Sequence, residues 1–425
     1  MPEAQGLGGR RNAGKWIVLG AAFLGWLFAG VQLGLMPFAA LTISKDLMGD
    51  AFTKAGAGAW FAAYSAVTML GAATGGILFG QIGDRFGRAR GLAWSMLCFT
   101  ACGLAGAFAQ TQEQLIVLRF FVGLGVGGTW PNGVSLLSEF WTDVSRPALA
   151  GLMGAGANLG ILLLSLLGKW HAVTPDTWRE LLLMTGSPIV LALLACWLVP
   201  ESPTWLMSRG AAKAGPGGVS LRNLFRAPLR RATLLGIALG AIPLLGAWAS
   251  SKWMLPWADL VGGAVNPGYK AITLLCWSSG ATLGGLVGGY VGQLLGRRLS
   301  YAVISVGACG MNILIYGFLK PLEPAFLPAV FAQGVISTMF FGWLPLYLPE
   351  IFPTHVRATG TGISYNAGRF LTAAGVMAAG VLIQLVHGDY AKVGAVTGLV
   401  YALGVLVIWQ APETKGAAVG RQSSK

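Results

Sequence analysis

Charge is scarce in this sequence: 10% of its 425 residues are Asp, Glu, Lys or Arg, against 55% hydrophobic, and the mean hydropathy is +0.67. Too few charges remain to solvate the surface of a soluble domain, so the chain belongs in a bilayer. Acid is the scarcer sign, with 15 Asp and Glu against 29 Lys and Arg and a net charge of +14. In a soluble chain that excess would point to nucleic acid. Here most of the basic residues sit in short loops between apolar runs, where they orient a membrane protein, and no nucleic-acid partner is expected. Histidine is nearly absent, and His171, His355 and His387 are scattered near loops. The five cysteines, Cys98, Cys102, Cys196, Cys276 and Cys309, fall inside apolar runs without a histidine at metal-ligand spacing, and read as core residues. Without a metal cluster or a nucleophile beside a base, an enzyme is not expected, nor is a cofactor.

What is abundant is long apolar sequence. A spanning helix needs about 20 apolar residues to cross a ~30 Å hydrocarbon core, and twelve such runs centre near residues 27, 68, 99, 126, 158, 189, 244, 281, 309, 337, 372 and 401. The first follows Arg10, Arg11 and Lys15 but runs to about Leu41 with no small-residue cleavage pattern, so it is a span and not a signal peptide. Residues 200–231, rich in Gly, Pro and Arg, form the longest polar interruption. The expected organisation is an N-terminal six-helix bundle over 1–199, a cytoplasmic linker over 200–231, a second bundle over 232–411 and a cytoplasmic tail over 412–425. With the N-terminus inside, nineteen Lys and Arg lie on the cytoplasmic side against seven outside (Lys45, Lys54, Lys169, Arg179, Lys270, Lys320 and Lys392). That bias places both termini in the cytoplasm and the chain in the cell's inner membrane.

The two halves repeat each other. The step of 209 residues from Gly71 to Gly280 also lays Gly75, Gly76, Gly80, Gly83, Gly87 and Arg88 on Gly284, Gly285, Gly289, Gly292, Gly296 and Arg297. A step of 211 lays Glu139, Arg146 and Gly151 on Glu350, Arg357 and Gly362, and one of 212 lays Pro200 and Glu201 on Pro412 and Glu413. Six spans separate equivalent points, so the duplication has parallel topology, as in transporters that build two bundles around a central site.

The segment GQIGDRFGRAR, Gly80 to Arg90, reads as a helix exit, a tight turn at Gly87 and a helix entry, and GQLLGRR at Gly292 to Arg298 repeats it with Gln293 in place of Asp84. RFFVGLGVGG from Arg119, PESPTWL from Pro200, LPEIFPTHVRATGTG from Leu348, NAGR from Asn366 and PETKG from Pro412 follow in order. Together these motifs resemble the major facilitator superfamily, and within it the sugar porters and the metabolite and aromatic-acid symporters. The resemblance implies an all-α membrane protein of twelve transmembrane helices in two pseudo-symmetric six-helix bundles, moving a small solute by alternating access. It also implies a gating charge network of Asp84, Arg85, Arg88, Glu139, Arg146, Glu201, Arg297, Arg298, Glu350, Arg357 and Glu413 that bridges the bundles when the cytoplasmic side is shut. Gly123, Gly125 and Gly128 satisfy the dinucleotide pattern GxGxxG, but they lie inside an apolar helix without the flanking strand it needs, and serve close packing.

Three cations fall within spans, Arg119, Lys252 and Arg369, and no acid lies deep in any. A charge at mid-bilayer costs from ~2.5 kcal/mol upward, so such residues usually face a cavity and bind something, although Lys252 could snorkel and either arginine could bond a carbonyl. Symporters resembling this chain carry acids in the first span to take the coupling proton; Ala29 and Gln32 stand there instead, and neither binds a proton. Gln32, Asn132, Asn158 and Asn366 could line the path or bond between helices. The expectation is a secondary carrier for an organic anion, possible without proton coupling, with Arg119, Arg369, Gln32, Asn158, Asn366 and Lys252 binding solute and the two arginines clamping it. A neutral-sugar facilitator or symporter and a transport-inactive sensor are the alternatives. The expected partners are a small solute and the lipid bilayer, with the protein acting as a monomer.

Overall fold

The computed structural model describes residues 2–141, 146–203, 205–207, 221–353 and 356–415, with side-chain surroundings from residue 14 onward except at 146–150, 221–222 and 357–359. Six spans make the first half: α1 (Pro2–Met48), α2 (Lys54–Phe86), α3 (Arg88–Ala105), α4 (Gln112–Phe140), α5 (Arg146–Trp170) and α6, in two pieces (Trp178–Gly186 and Ile189–Leu198). The second half holds α7 (Arg230–Leu245, resuming as Met254–Gly262), α8 (Tyr269–Leu295), α9 (Arg297–Phe318), α10 (Phe326–Tyr347), α11 (Arg357–Leu385) and α12 (Tyr390–Gly398 and Val400–Ile408). Every expected centre falls in its own element. Among the described residues eleven segments are long and apolar enough to cross a membrane; α4 is not one of them, because its inner face holds Arg119, Thr129 and Asn132 among glycines. Residues 204 and 208–220 of the expected linker lie outside those described.

Local chemistry sets the ends of these helices. Thr53 and Thr111 cap α2 and α4, their hydroxyls accepting from Gly56 N at 3.0 Å and Gln114 N at 3.3 Å. The turns leaving α2 and α8 pass through Gly87 (φ +120°) and Gly296 (φ +90°), a region that L side chains rarely adopt. In α7 the helix holds Pro243, loosens into a π-helical turn over Gly246–Ser250 and tightens over Ser251–Trp253 before resuming. Proline removes the ladder bond that would keep this stretch regular, and wide turns of this kind often mark functional sites.

The repeat is also a repeat of contacts. A Cβ on Gly71 would stand 2.1 Å from Phe120 O, and one on Gly75 1.9 Å from Leu124 O, so α2 and α4 cross with their backbones touching. At the equivalent crossing of α8 and α10, Gly280 and Gly284 meet Phe331 O and Val335 O at 2.2 and 2.0 Å. Lipid supplies no hydrophobic drive for helix association, so such close packing is what binds the helices.

Among the described residues the buried apolar side chains form three clusters. Two are confined to one half each. One joins α1, α3, α4 and α5 through residues such as Val18, Leu92, Val126 and Leu136, and the other joins α9, α10 and α12 through Tyr301, Trp343 and Tyr401. Both lie toward the face that carries the α2–α3 and α8–α9 turns, called the basic face below. The third spans both halves, bringing Phe61, Met36 and Leu164 together with Trp253, Leu274, Ile383 and Tyr390. The halves are therefore fused into one core toward the opposite face and hold separate cores toward the basic face.

Gly75→Ala is expected to lower stability by about 1–3 kcal/mol, because the new methyl overlaps a backbone carbonyl that cannot step aside. Gly80→Ala, where nothing lies within 4 Å, is expected to be neutral or to add up to ~1 kcal/mol of helix propensity. Apparent melting temperatures of the two detergent-purified variants check this, and equal shifts would count against the backbone-contact argument.

Candidate solute site and charge networks

At the basic face each half carries its own charge network. In the first, Arg88 Nη1 pairs with Asp84 Oδ1 at 2.6 Å and Arg88 Nε faces Glu139 Oε1 at 3.9 Å, while Ser202 Oγ bonds Glu139. Glu201 accepts from Ala89 N at 3.1 Å, capping the start of α3 where the helix dipole favours an anion. In the second half, Arg297 grips Glu350 through two parallel bonds, Nε to Oε2 at 3.0 Å and Nη2 to Oε1 at 2.7 Å. Glu413 caps α9 by accepting from Arg297 N and Arg298 N, both at 2.9 Å. Burial would raise the Glu413 carboxyl, but the backbone N–H groups of Arg298, Arg297, Lys415 and Thr414 outweigh it and hold its pKa below the usual carboxylate value. Arg85 stacks on Phe86, and Arg298 donates to Ala411 O at 2.6 Å. The side chains of Arg146 and Arg357 lie outside the described residues. Among the described residues no ion pair joins the two halves.

The halves meet instead at the opposite face. Lys270, at the start of α8, pairs with Asp259 at 3.2 Å and reaches across to Thr42 Oγ1 of α1 at 2.8 Å and Val173 O beyond α5 at 3.2 Å. Phe61 of α2 stacks edge-on against Trp253 of α7, whose ring also meets Tyr390 of α12, and Tyr390 Oη donates to Lys54 O at 3.0 Å.

Between these faces the three intramembrane cations have different surroundings. Arg119 is 3% exposed and turns to α1: Nη1 donates to Gln32 Oε1 at 2.9 Å and Nη2 to Gln32 O at 2.6 Å, while Gln32 Nε2 donates to Thr185 O at 3.1 Å. Its Nε has no partner. Arg369 crosses to the other half, where Nη1 donates to Ala72 O at 3.2 Å, and its guanidinium lies 4.9 Å from the Tyr365 ring. The two guanidiniums expected to close on one anion are thus each engaged with a separate helix. Asn158 donates to Ala281 O at 3.2 Å, also across the halves, and Asn366 donates to Gly362 O with its Oδ1 pressed toward Gly76. Asn132 bonds Phe79 O and Gly128 O within the first half.

Lys252 stands apart. It does not snorkel: the residue is 4% exposed and its ammonium has no hydrogen-bond partner. It rests 3.5 Å from the centroid of the Trp277 ring and 5.9 Å from that of Trp248. Trp277 Nε1 donates to Gln333 Oε1 at 2.8 Å and Gln333 in turn bonds Ser251, so the wall under the cation is a fixed polar and aromatic frame. Sequence reasoning missed Trp277, Gln333, Ser251 and Trp248. The one available signal was the four-residue spacing of Trp248 and Lys252, easily lost among 16 tryptophans.

Arg297→Met should cost about 3 kcal/mol, since it strands Glu350, whose side chain is only 16% exposed. Asp84→Asn, at a carboxylate 64% exposed, should cost less than ~1 kcal/mol. Thermal unfolding of both variants decides, and parity between them would contradict the difference in burial.

Transport proteins of several bacteria match most of this chain in sequence. A probable 4-methylmuconolactone transporter of Cupriavidus pinatubonensis is 29% identical over 408 residues, covering 94% of this chain and 91% of that one. A cis,cis-muconate transport protein of Acinetobacter baylyi is 29% identical over 82% of this chain and 83% of its own. A gallate transporter of Pseudomonas putida is 29% identical over 87% and 86%. Among solved structures, the xylose transporter XylE from E. coli in a partially occluded inward-open conformation superposes with a TM-score of 0.73 at 18% identity, covering 96% of this chain and all of that one, which is a likeness of fold. The profile of the Major Facilitator Superfamily matches residues 18–264, more than half of the sequence, and the protein belongs to that superfamily of membrane transporters.

Proposed function

We propose that the protein carries a small organic anion across the inner membrane by alternating access, with the basic face toward the cytoplasm, and that Lys252 is the residue that receives the anion. The observation that carries this reading is the unpartnered Lys252 ammonium, 4% exposed and lodged on Trp277. A buried cation without a counter-ion is costly, and in a span with no deep acid the group able to neutralise it is the solute itself. The aromatic rings attract the ammonium from one side and leave its remaining donors for a carboxylate. Relatives named for muconate and gallate transport support an anionic solute.

Proton coupling is not part of this reading. The helix that would carry the coupling acid presents Gln32 to Arg119, and an amide neither gains nor loses a proton in the physiological range. Net flux should then follow the solute gradient. Asp259, the acid of α7, is held by Lys270 at the opposite face.

Lys252→Met is expected to weaken binding of an anion such as cis,cis-muconate about tenfold or more, the usual worth of a charged hydrogen bond, while Lys252→Arg retains most of it. Isothermal titration on purified protein measures this; a tighter fit for xylose than for any carboxylate would replace the anion with a neutral sugar. In proteoliposomes, solute entry through the parent protein should move no protons, whereas Gln32→Glu should make the flux depend on pH. Alkalinisation driven by solute through the parent would refute uncoupled transport.

A further inference from the structure

Among the described residues two hydrogen bonds cross between the halves near the middle of the spans, and the repeat makes them copies of each other. Arg369 of α11 donates to the carbonyl of Ala72 in α2, and Asn158 of α5 donates to the carbonyl of Ala281 in α8, both at 3.2 Å. The 209-residue step that carries Gly71 to Gly280 also carries Ala72 to Ala281, and the 211-residue step that carries Glu139 to Glu350 carries Asn158 to Arg369. Donor and acceptor thus come from equivalent places, although the donors are different residues. Their surroundings match too. Ala72 O stands 2.0 Å from where Gly127 of α4 would carry a Cβ, and at the equivalent position in α10 Thr338 donates to Ala281 O at 2.8 Å. Each carbonyl is a junction of three helices, two from its own half and one from the other.

Depth gives these bonds their meaning. Asn158 lies twelve residues from either end of α5, Ala281 twelve from the start of α8, and Arg369 twelve from the start of α11, each about 18 Å along its helix at 1.5 Å per residue. When two rigid bundles rock about an axis in the membrane plane, displacement grows with distance from that axis, so contacts at the faces must break and contacts at the middle scarcely move. We propose that Asn158 and Arg369 form the paired pivot of this motion: positioning residues that keep the halves in register while the opposite-face contacts of Lys270, Phe61 and Tyr390 part and the basic face closes. The pivot rests on the alternating-access reading and not on the solute's identity.

The test compares Arg369→Met, Arg369→Lys and Asn158→Leu with the parent in proteoliposomes, using cis,cis-muconate as the probe. A second readout needs no solute: maleimide labelling of the single cysteine placed by Phe61→Cys in a background where the five native cysteines are replaced by serine, a site shielded while the opposite face is shut. The pivot predicts that Arg369→Met and Asn158→Leu each lower turnover about tenfold with KM within twofold of the parent, and that both raise labelling at position 61. Arg369→Lys, which keeps a donor of similar reach, should restore most of the turnover and the protection. Unchanged turnover and labelling would overturn the assignment. So would a tenfold rise in KM with turnover retained, since Arg369 would then be a solute ligand. Loss of monodisperse protein in both the Met and the Leu variant would also overturn it, because the bonds would then hold the fold together and not guide its movement. If the parent fails to transport muconate, the labelling result alone decides the pivot, and the anion reading fails separately.

Discussion

Backbone contact between crossing helices is the constraint on which the rest of this protein depends. Where α2 meets α4 and α8 meets α10, a glycine faces a carbonyl at a distance that leaves no room for any side chain. In lipid, helices gain little by hiding apolar surface from a solvent that is itself apolar, so close van der Waals contact must hold each bundle. Crossings fixed in this way suit each half to move as a unit against the other. The glycines at Gly87 and Gly296 extend the same economy to the turns. Each adopts a positive φ and also leaves space for the carboxylate of Glu201 or Glu413 that caps the following helix.

Two halves so alike in packing differ in their charges, and the difference is where function enters. The first half buries Arg119 but surrounds it with the neutral acceptors of Gln32, so its charge is solvated by dipoles and needs no solute. Val330 stands at the equivalent place in α10, 211 residues on. The second half instead buries Lys252, set on the irregular turn of α7 and given rings but no acceptor. A regular helix would have kept the repeat's contacts; the proline and the wide turn depart from it and bring Trp248 and Lys252 inward. Symmetry builds the machine, and the local loss of symmetry leaves one charge unanswered.

How much of this could be read in the sequence depended on whether a property was carried by period or by reach. Twelve apolar runs and the spacing of Gly71, Gly75 and Gly76 against Gly280, Gly284 and Gly285 follow from helix geometry and were legible. The basic-face acids were legible as a set, but not their division of labour: Glu201 and Glu413 cap helices, while Glu350 binds a guanidinium. Side chains that bridge distant elements were not legible. Lys270 reads as a loop charge, yet it is buried and bonds to Thr42 and Val173, because only the fold brings the starts of α8 and the ends of α1 and α5 together. The equivalence of Asn158 and Arg369 was present in the 211-residue step, but two dissimilar residues announce nothing until each is seen to donate to an equivalent carbonyl, Ala281 O or Ala72 O.

The distribution of cores gives the molecule a direction. A single apolar core joins the halves at the opposite face, and two separate ones lie at the basic face. Passing to the other state must therefore split a shared core and make a new contact between two charged surfaces. Apolar contacts re-form on any similar surface, whereas the Lys270 ammonium needs Thr42 and Val173 in place or loses two of its three oxygen partners. Asp259 travels with it in the same half, so the charge itself is never abandoned when the face opens. This arrangement lets the closed state be specific without being deep: the bonds that break on opening are neutral acceptors that water can replace, and the ion pair survives the transition.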